Sequence, residues 1–164
     1  MALAIDAVPT TTVAAASSAR IGATAAAWSA TYKPQPGPGA ICKTCYGSRV
    51  NSYGNGFTYT FTDVQFSRGK VTKFQMNLPK GTTLQAAERD LRKVLPKDAR
   101  LARTVSGVDC HDSVFTTAQL FSLQTANVMA SFETLHWQAQ DQSFNPKSVQ
   151  LVYVAAGAPD VRGC

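Results

Sequence analysis

The sequence predicts an α+β fold with a mainly antiparallel sheet and two principal helices packed on one face. Two segments repeat apolar residues at helical spacing, and several others alternate apolar and polar residues with a period of two. A tight turn at residues 67–70 joins two of the alternating segments as a hairpin. The predicted order is helix, three strands, helix, strand, short helix and two strands.

Composition limits this fold to one domain. The chain has 164 residues, of which 45% are hydrophobic and 16% charged, and this apolar content can offset the entropy of ordering. We assign residues 19–164 to a single α+β domain and residues 1–18, rich in Ala and Thr, to a low-complexity tether. No apolar run approaches the roughly 18 residues that span a bilayer, so no transmembrane segment is predicted.

The first helix is predicted over residues 21–32. Apolar residues recur there at intervals of four, three and four, at Ile21, Ala25, Trp28 and Tyr32. A stretch rich in Pro and Gly follows and ends the helix, since proline cannot continue it. Trp28 is interpreted as a core residue rather than a ligand-stacking one, because large aromatics at helical spacing usually pack.

The middle of the chain predicts a group of three strands. Alternation through residues 57–66 changes parity at Thr62 and Asp63, which indicates a β-bulge. The turn at residues 67–70 then returns the chain through residues 71–78. The aromatic side chains of these strands are interpreted as core rather than as a stacking surface for a ligand, since half of an alternating strand must be buried.

The second helix is predicted to begin at Thr82, which forms a capping box with Gln85, and to end at Leu95 before a proline. Its apolar residues share one side, and its cations lie on the other. Strands are predicted over residues 99–105, 128–132 and 149–154, and a short helix over residues 114–125.

The four cysteines bear on the cellular compartment. Cys42 and Cys45 form a C-x-x-C, whereas Cys110 and Cys164 lie far along the chain. Such a set allows two structural disulfides in an exported domain, a zinc site or a redox-active dithiol. Zinc usually needs a second closely spaced ligand pair, and a redox dithiol needs a helix N-terminus where a loop is predicted. We favour structural disulfides and predict that all four cysteines are oxidised. Three pairings are open, and pairing Cys110 with Cys164 would leave Cys42 to pair with Cys45.

Catalytic signatures are scarce. The sequence lacks glycine-rich phosphate loops and the common serine-hydrolase and metalloprotease motifs, and it has two histidines, His111 and His136. Cys110, His111 and Asp112 are the residue types of a thiol catalytic group, but adjacent residues usually point apart. His111 is instead interpreted as an exposed loop residue. No catalytic residue, metal site or cofactor is predicted.

Positive charge is concentrated in one segment. The net charge is +6, from 16 basic and 10 acidic residues, and residues 68–103 contribute ten basic against three acidic residues, a net of +7. Six of these cations form the candidate basic surface: Arg68, Lys70, Lys73, Arg89, Arg92 and Lys93. Such a surface could bind an anionic polymer such as nucleic acid or a wall polymer, and the alternative is that the charges only keep the domain soluble.

Four segments carry a family resemblance: IGATAAAWSATY, GKVTKFQMNLP, TTLQAAERDLRKVLPKDA and NPKSVQLVYV. Together they resemble small exported proteins of actinobacteria and related soil bacteria. The resemblance implies an extracellular or cell-envelope α+β domain and supplies no catalytic residues. The order of helices and antiparallel strands is also similar in outline to the repeats of secreted β-lactamase-inhibitor proteins, which implies a likeness of fold alone.

Three functions remain open from the sequence. The favoured one is an exported or cell-envelope domain with a non-catalytic binding role, whose partner is a protein or an envelope component. The alternatives are a binder of anionic polymers, which a contiguous basic face would favour, and an enzyme of unrecognised type, which a cleft with convergent polar groups would favour. We expect an extracellular or envelope location, with tethering through an N-terminal signal or anchor that is removed. The sequence does not predict an oligomeric state.

Overall fold

The computed structural model describes residues 19–35, 44–53, 56–134 and 143–157, so the predicted tether and His136 lie outside the described residues. Within these ranges the elements are α1 (Ala25–Thr31), β1 (Tyr46–Tyr53), β2 (Gly56–Ser67), β3 (Lys70–Asn77), α2 (Leu84–Val94), β4 (Arg100–Ser106), β5 (Cys110–Thr116), a 3₁₀-helix (Phe121–Leu123), β6 (Asn127–Glu133) and β7 (Leu151–Ala156). The predicted α+β class with a mainly antiparallel sheet is confirmed. Neither described α-helix has the length and apolar character needed to cross a membrane.

The seven described strands form one sheet in the order β1-β2-β3-β7-β6-β5-β4. Every neighbouring pair is antiparallel. The strands β1 to β3 and β4 to β6 are two meanders, in which each strand pairs with the next along the chain. The strand β7 lies between β3 and β6 and joins the two meanders at the centre of the sheet.

Both helices pack on the same face of the sheet, which we call the helix face. One cross-strand row on it runs through Phe74, Val154, Ala130 and Ser113. In α1, Trp28 lies 5.2 Å from Phe74 between ring centroids. In α2, the Arg92 guanidinium lies 4.7 Å from the ring of Phe115, which shares the face of Ser113. The opposite face, which we call the far face, is therefore the one that neither helix covers.

The helix α1 is shorter than predicted, and its one fully buried side chain is Trp28. It begins after Thr24, whose hydroxyl accepts a hydrogen bond from the Ala27 N–H at 3.2 Å. The indole ring contacts Tyr32 and Phe61, with centroids 4.8 and 5.1 Å away. Burial raises the pKa of the Tyr32 hydroxyl from its ordinary value of 10.0, and nearby Arg20 partly opposes this rise. This aromatic cluster anchors the β1 side of the core.

The hairpin between β2 and β3 and the bulge before it agree with the sequence pattern. The β2–β3 register shifts between Thr62 and Gln65, and Asp63 takes a φ of 52°. In the turn, Arg68 and Gly69 have φ values of 50° and 72°. Two consecutive positive φ angles between paired strands define a type I′ turn, which matches the twist of a hairpin.

The predicted short helix over residues 114–125 is wrong in its first part. Residues 114–116 continue β5, where Val114 pairs with both Arg103 and Met129. A helical turn survives only at Phe121–Leu123. Pairing with two neighbouring strands satisfies the backbone of Val114 and outweighs the weak helical spacing of its segment. The structure therefore has seven strands among the described residues where six were predicted.

Two local predictions also need correction. The cap of α2 is Thr83, whose hydroxyl accepts from the Ala86 N–H at 3.3 Å, whereas Thr82 donates its hydroxyl to the Pro79 carbonyl at 2.6 Å. His111 is not in a loop, because it lies in β5 with a side chain only 14% exposed. Its ring is stacked against Phe144, with centroids 5.8 Å apart.

The two edges of the sheet are built differently. Beside β1, the Gln35 N–H donates to the Cys45 carbonyl at 2.9 Å, and the Gly47 N–H donates to the Lys33 carbonyl at 3.0 Å. Residues 33–35 thus cover the start of that edge. The strand β4 pairs with β5 alone among the described residues, and all of its residues except Val105 are exposed.

Candidate ligand-binding cleft

A cleft of about 590 Å³ opens at the end of the sheet where the β2–β3 turn meets the start of β6 and the end of β7. This volume falls in the range that small ligands occupy in proteins. The described residues that line it come from these three places, from β3, and from the end of the 3₁₀-helix and the segment after it: Ser67, Arg68, Thr72, Leu123, Gln124, Thr125, Ala126, Asn127, Ala156 and Gly157.

Arg68 is the one charged residue among these lining residues. It occupies the first central position of the type I′ turn, with a φ of 50°. Asn, Asp and Gly are preferred there, because a side chain in the left-handed region costs about 1–2 kcal/mol. The Arg68 guanidinium donates through Nη2 to Gln124 Oε1 at 3.3 Å. An arginine is therefore held at the cleft against the local conformational preference.

Gln124 faces the same cleft in a similar conformation. It follows the 3₁₀-helix with a φ of 60° and donates its N–H to the Phe121 carbonyl. Glycine or asparagine is the usual residue in this position after a helix. Apart from the glycines, the positive-φ residues of the described chain are Asp63, Arg68 and Gln124, and the last two hydrogen-bond to each other. Sparsely populated conformations that cluster in this way are typical of ligand-binding positions.

Asp98 holds the segment that leads to the cleft. Its carboxylate accepts from the Thr117 hydroxyl at 2.5 Å and from the Ala118 N–H at 2.7 Å. The Thr117 hydrogen bond is the largest cause of a lowered pKa of Asp98, with the Ala118 N–H adding to it against partial burial. Further along, Lys70 Nζ donates to Ser122 Oγ at 2.7 Å. The segment between β5 and β6 is thus held by charged side chains at its start and near its middle.

The six residues of the candidate basic surface do not lie together. Arg68 and Lys70 both reach the segment that holds Ser122 and Gln124, at the cleft end of the sheet. Lys73 lies on the far face, because side chains alternate along a strand and the next residue, Phe74, packs on the helix face.

The remaining three cations lie on α2. Arg89 is exposed, and Lys93 forms an ion pair with Asp90 at 2.6 Å. Arg92 is held over Phe115 and also donates to a backbone carbonyl. The predicted surface is therefore divided among the cleft, the far face and α2.

The described cysteines are oxidised. Cys45 and Cys110 are each disulfide-bonded, and no described cysteine is free. Cys42 and Cys164 lie outside the described ranges, so the described residues do not test which cysteines pair. Because Cys110 carries no thiol, it is not a nucleophile with His111. Asp112 also points away from His111, on the far face, where Oδ1 is buried without a hydrogen-bond partner.

A second polar cluster lies where the β4–β5 hairpin approaches α2. Ser106 Oγ is 2.8 Å from His111 Nδ1, and His111 Nε2 is 4.0 Å from Glu88 Oε1. Sequence analysis missed this cluster because His111 was placed in a loop. The signal that would have found it is the short turn after Ser106, which makes Ser106 and His111 a cross-strand pair.

Comparison with known proteins gives no further guidance to the ligand. No family model matches the chain, and no curated protein or solved structure is significantly similar to it. The interpretation of the cleft rests on its own residues.

Proposed function

We propose that this protein is an exported or cell-envelope binding domain that holds an anionic group in the cleft at Arg68. The observation that carries the proposal is the placement of Arg68 at a turn position that disfavours arginine, where it lines the cleft and its guanidinium bonds another lining residue, Gln124. A guanidinium presents several N–H donors in a planar fork that suits carboxylate, sulfate or phosphate oxygens. Uncharged polar side chains from Thr72, Thr125 and Asn127 lie around it.

The electrostatics of the cleft support an anionic ligand over a cationic one. None of the described lining residues is acidic. The Gln124 side chain occupies one edge of the guanidinium at 3.3 Å, which is a long hydrogen bond that a charged ligand can replace with a stronger one. The size of the cleft suits one anionic unit of a larger polymer or the terminal group of a partner protein.

The location is supported by cysteine chemistry and by sequence resemblance. Stable disulfides form in oxidising compartments, and both Cys45 and Cys110 are disulfide-bonded. The resemblance to small exported actinobacterial proteins points to the same compartment.

The test compares two arginine substitutions in binding to heparin and to single-stranded DNA, measured by calorimetry at several salt concentrations. Arg68→Asn removes the cation and supplies a residue that type I′ turns prefer, so it should weaken binding while leaving stability unchanged or higher. Arg89→Asn removes an exposed cation on α2 and should leave affinity within about twofold. Equal losses from both substitutions, or no binding at low salt, would contradict the proposal.

A second candidate function, ester hydrolysis, is favoured by the cluster of Ser106, His111 and Glu88. With its Nε2–H directed towards Glu88, His111 would present the Nδ1 lone pair to the Ser106 hydroxyl. Ser106 Oγ would attack an ester carbonyl carbon while Nδ1 takes the hydroxyl proton and passes it to the departing alcohol. Water would then hydrolyse the acyl-serine.

Turnover of p-nitrophenyl acetate separates the two candidate functions. Hydrolysis by the cluster requires that Ser106→Ala abolish turnover above background and that Arg68→Asn leave it unchanged. The cleft proposal requires that Arg68→Asn weaken binding in the heparin titration and that Ser106→Ala leave this binding unchanged. Absence of turnover in the unmodified protein would exclude the hydrolytic candidate and leave the binding proposal intact.

A further inference from the structure

The strand β4 presents an open hydrogen-bonding edge. It is the last strand in the sheet order, and no described residue pairs with its outer side. The Gly107 N–H donates to the Cys110 carbonyl at 3.0 Å, which fixes Gly107 as a residue that faces β5. Antiparallel strands alternate inward- and outward-facing backbone groups, so Val105 faces β5 while Thr104 and Ser106 face away from it. Their N–H and C=O groups are available to another strand.

The side chains of this edge are basic on one face and apolar on the other. Arg100 and Arg103 pair with Thr116 and Val114, which places both guanidinium groups on the far face. Leu101 lies on the helix face and is 50% exposed. The strand has no acidic residue. Facing side chains on neighbouring strands interact directly, so a partner strand with acidic residues opposite the arginines would be favoured.

We propose that β4 accepts an extended acidic segment of a partner protein as an eighth strand, by β-augmentation. The backbone of Thr104 and Ser106 would supply the hydrogen bonds, and the two arginines would select acidic side chains. Charge also decides against a second copy of this chain. Antiparallel pairing of two β4 edges would bring two arginines from each copy to the same face.

The proposal is tested with an eight-residue peptide of alternating Glu and Val, and with a matched peptide in which Lys replaces Glu. Titration into the isotopically labelled protein should shift the amide resonances of β4 and leave those of the cleft unchanged. The Glu peptide should bind at least about tenfold more tightly than the Lys peptide. Equal affinities, or shifts confined to the cleft, would overturn the proposal.

A variant pair isolates the backbone contribution. Thr104→Pro deletes an outward N–H that β5 does not use, so it should abolish peptide binding, whereas Thr104→Ala should retain it. If Thr104→Pro fails to fold, a Glu peptide N-methylated on alternate residues makes the same test with the unmodified protein. A second Glu peptide, N-methylated on the other set of alternate residues, completes the test, and undiminished binding of both peptides would contradict β-augmentation. Association of the protein with itself at the concentrations used would show that a second copy occupies the edge instead.

Discussion

The two edge strands of the sheet, β1 and β4, differ in how they avoid unspecific pairing with other strands. Beside β1, residues 33–35 supply backbone hydrogen bonds, and the aromatic cluster around Trp28 packs over the neighbouring strands. Beside β4, arginines and polar residues face solvent and no described segment covers the strand. Charged side chains on an edge oppose unspecific pairing while leaving the backbone accessible. The β1 edge of the sheet is therefore covered and packed, whereas the backbone of the β4 edge stays accessible.

The largest expected effect on the free energy of unfolding comes from a substitution near the β1 edge. Trp28→Ala should lower the free energy of unfolding by about 3–5 kcal/mol, because the ring is fully buried among aromatic neighbours. Trp28→Phe should cost less, since it keeps an aromatic ring and removes an indole N–H that has no hydrogen-bond partner. Urea unfolding measures both, with Leu101→Ala on β4 as the comparison. A similar loss from Leu101→Ala would remove the contrast between the two ends.

The predicted disulfides should differ in how much they contribute to stability, and the bond that closes the longer loop should contribute more. A Cys110–Cys164 bond would close a long loop and contribute about 4 kcal/mol, whereas a Cys42–Cys45 bond would close a very short one and contribute about 2 kcal/mol. Paired Cys→Ser substitutions followed by urea unfolding measure each contribution. Titration of free thiols under denaturing conditions should find none in the unmodified protein. Four reactive thiols, or a bound zinc ion, would refute the prediction.

Asp98, which precedes the edge strand β4, makes the stability of the protein depend on pH. Its folded-state pKa lies below the ordinary value of 3.8, chiefly because the Thr117 hydroxyl bonds the charged form. Its stabilising contribution is therefore complete above the unfolded-state pKa and is lost as pH falls through the folded-state pKa. Asp98→Asn should lower the melting temperature at pH 7, and this difference should shrink below about pH 3.8.

Asp109 is a suitable control for this measurement, because it lies exposed in the β4–β5 turn. Asp109→Asn should leave the melting temperature at pH 7 nearly unchanged, because the side chain it replaces is exposed. A difference for Asp98→Asn that persists at pH 2 would show that packing rather than charge explains its effect.

The smallest effect on stability is expected from the arginines of β4. Replacing Arg100 and Arg103 together by Thr should change the free energy of unfolding by no more than about 0.5 kcal/mol, since both are exposed. Self-association, measured by sedimentation velocity over a range of concentrations, should nevertheless increase, because the edge loses its charge. A variant that stays as monodisperse as the unmodified protein would show that another feature protects the edge.

The sequence predicted the elements that depend on local chemistry. The β2–β3 hairpin, the bulge near Thr62 and the end of α2 before a proline follow from side-chain or backbone preferences within a few residues, whereas the cap of α2 was predicted one residue too early. The segment after Val114 could not be assigned in this way, because its strand state depends on pairing with β4 and β6. Helical spacing alone favoured the wrong state there.

The sequence identified only part of the candidate cleft. Arg68 was named as a cation in a turn, but its contact with Gln124 joins parts of the chain that only the folded sheet brings together. The division of the basic surface has the same origin, since strand parity sends Lys73 and Phe74 to opposite faces. The period of a strand predicts two faces, whereas the position of the helices decides which of them is covered.

Because β7 lies at the centre of the sheet, the two meanders can join only after β7 has been synthesised. The strands β3 and β6 both need β7 as a neighbour, and it is the last described strand to be translated. Before residue 156 leaves the ribosome, the two meanders can form but cannot join, and each presents an unpaired inner edge. Pairing of β7 with β3 links residues far apart along the chain, and such long-range pairing is slow. The sheet therefore stays in two separate halves until residues 151–156 are free to pair with β3 and β6.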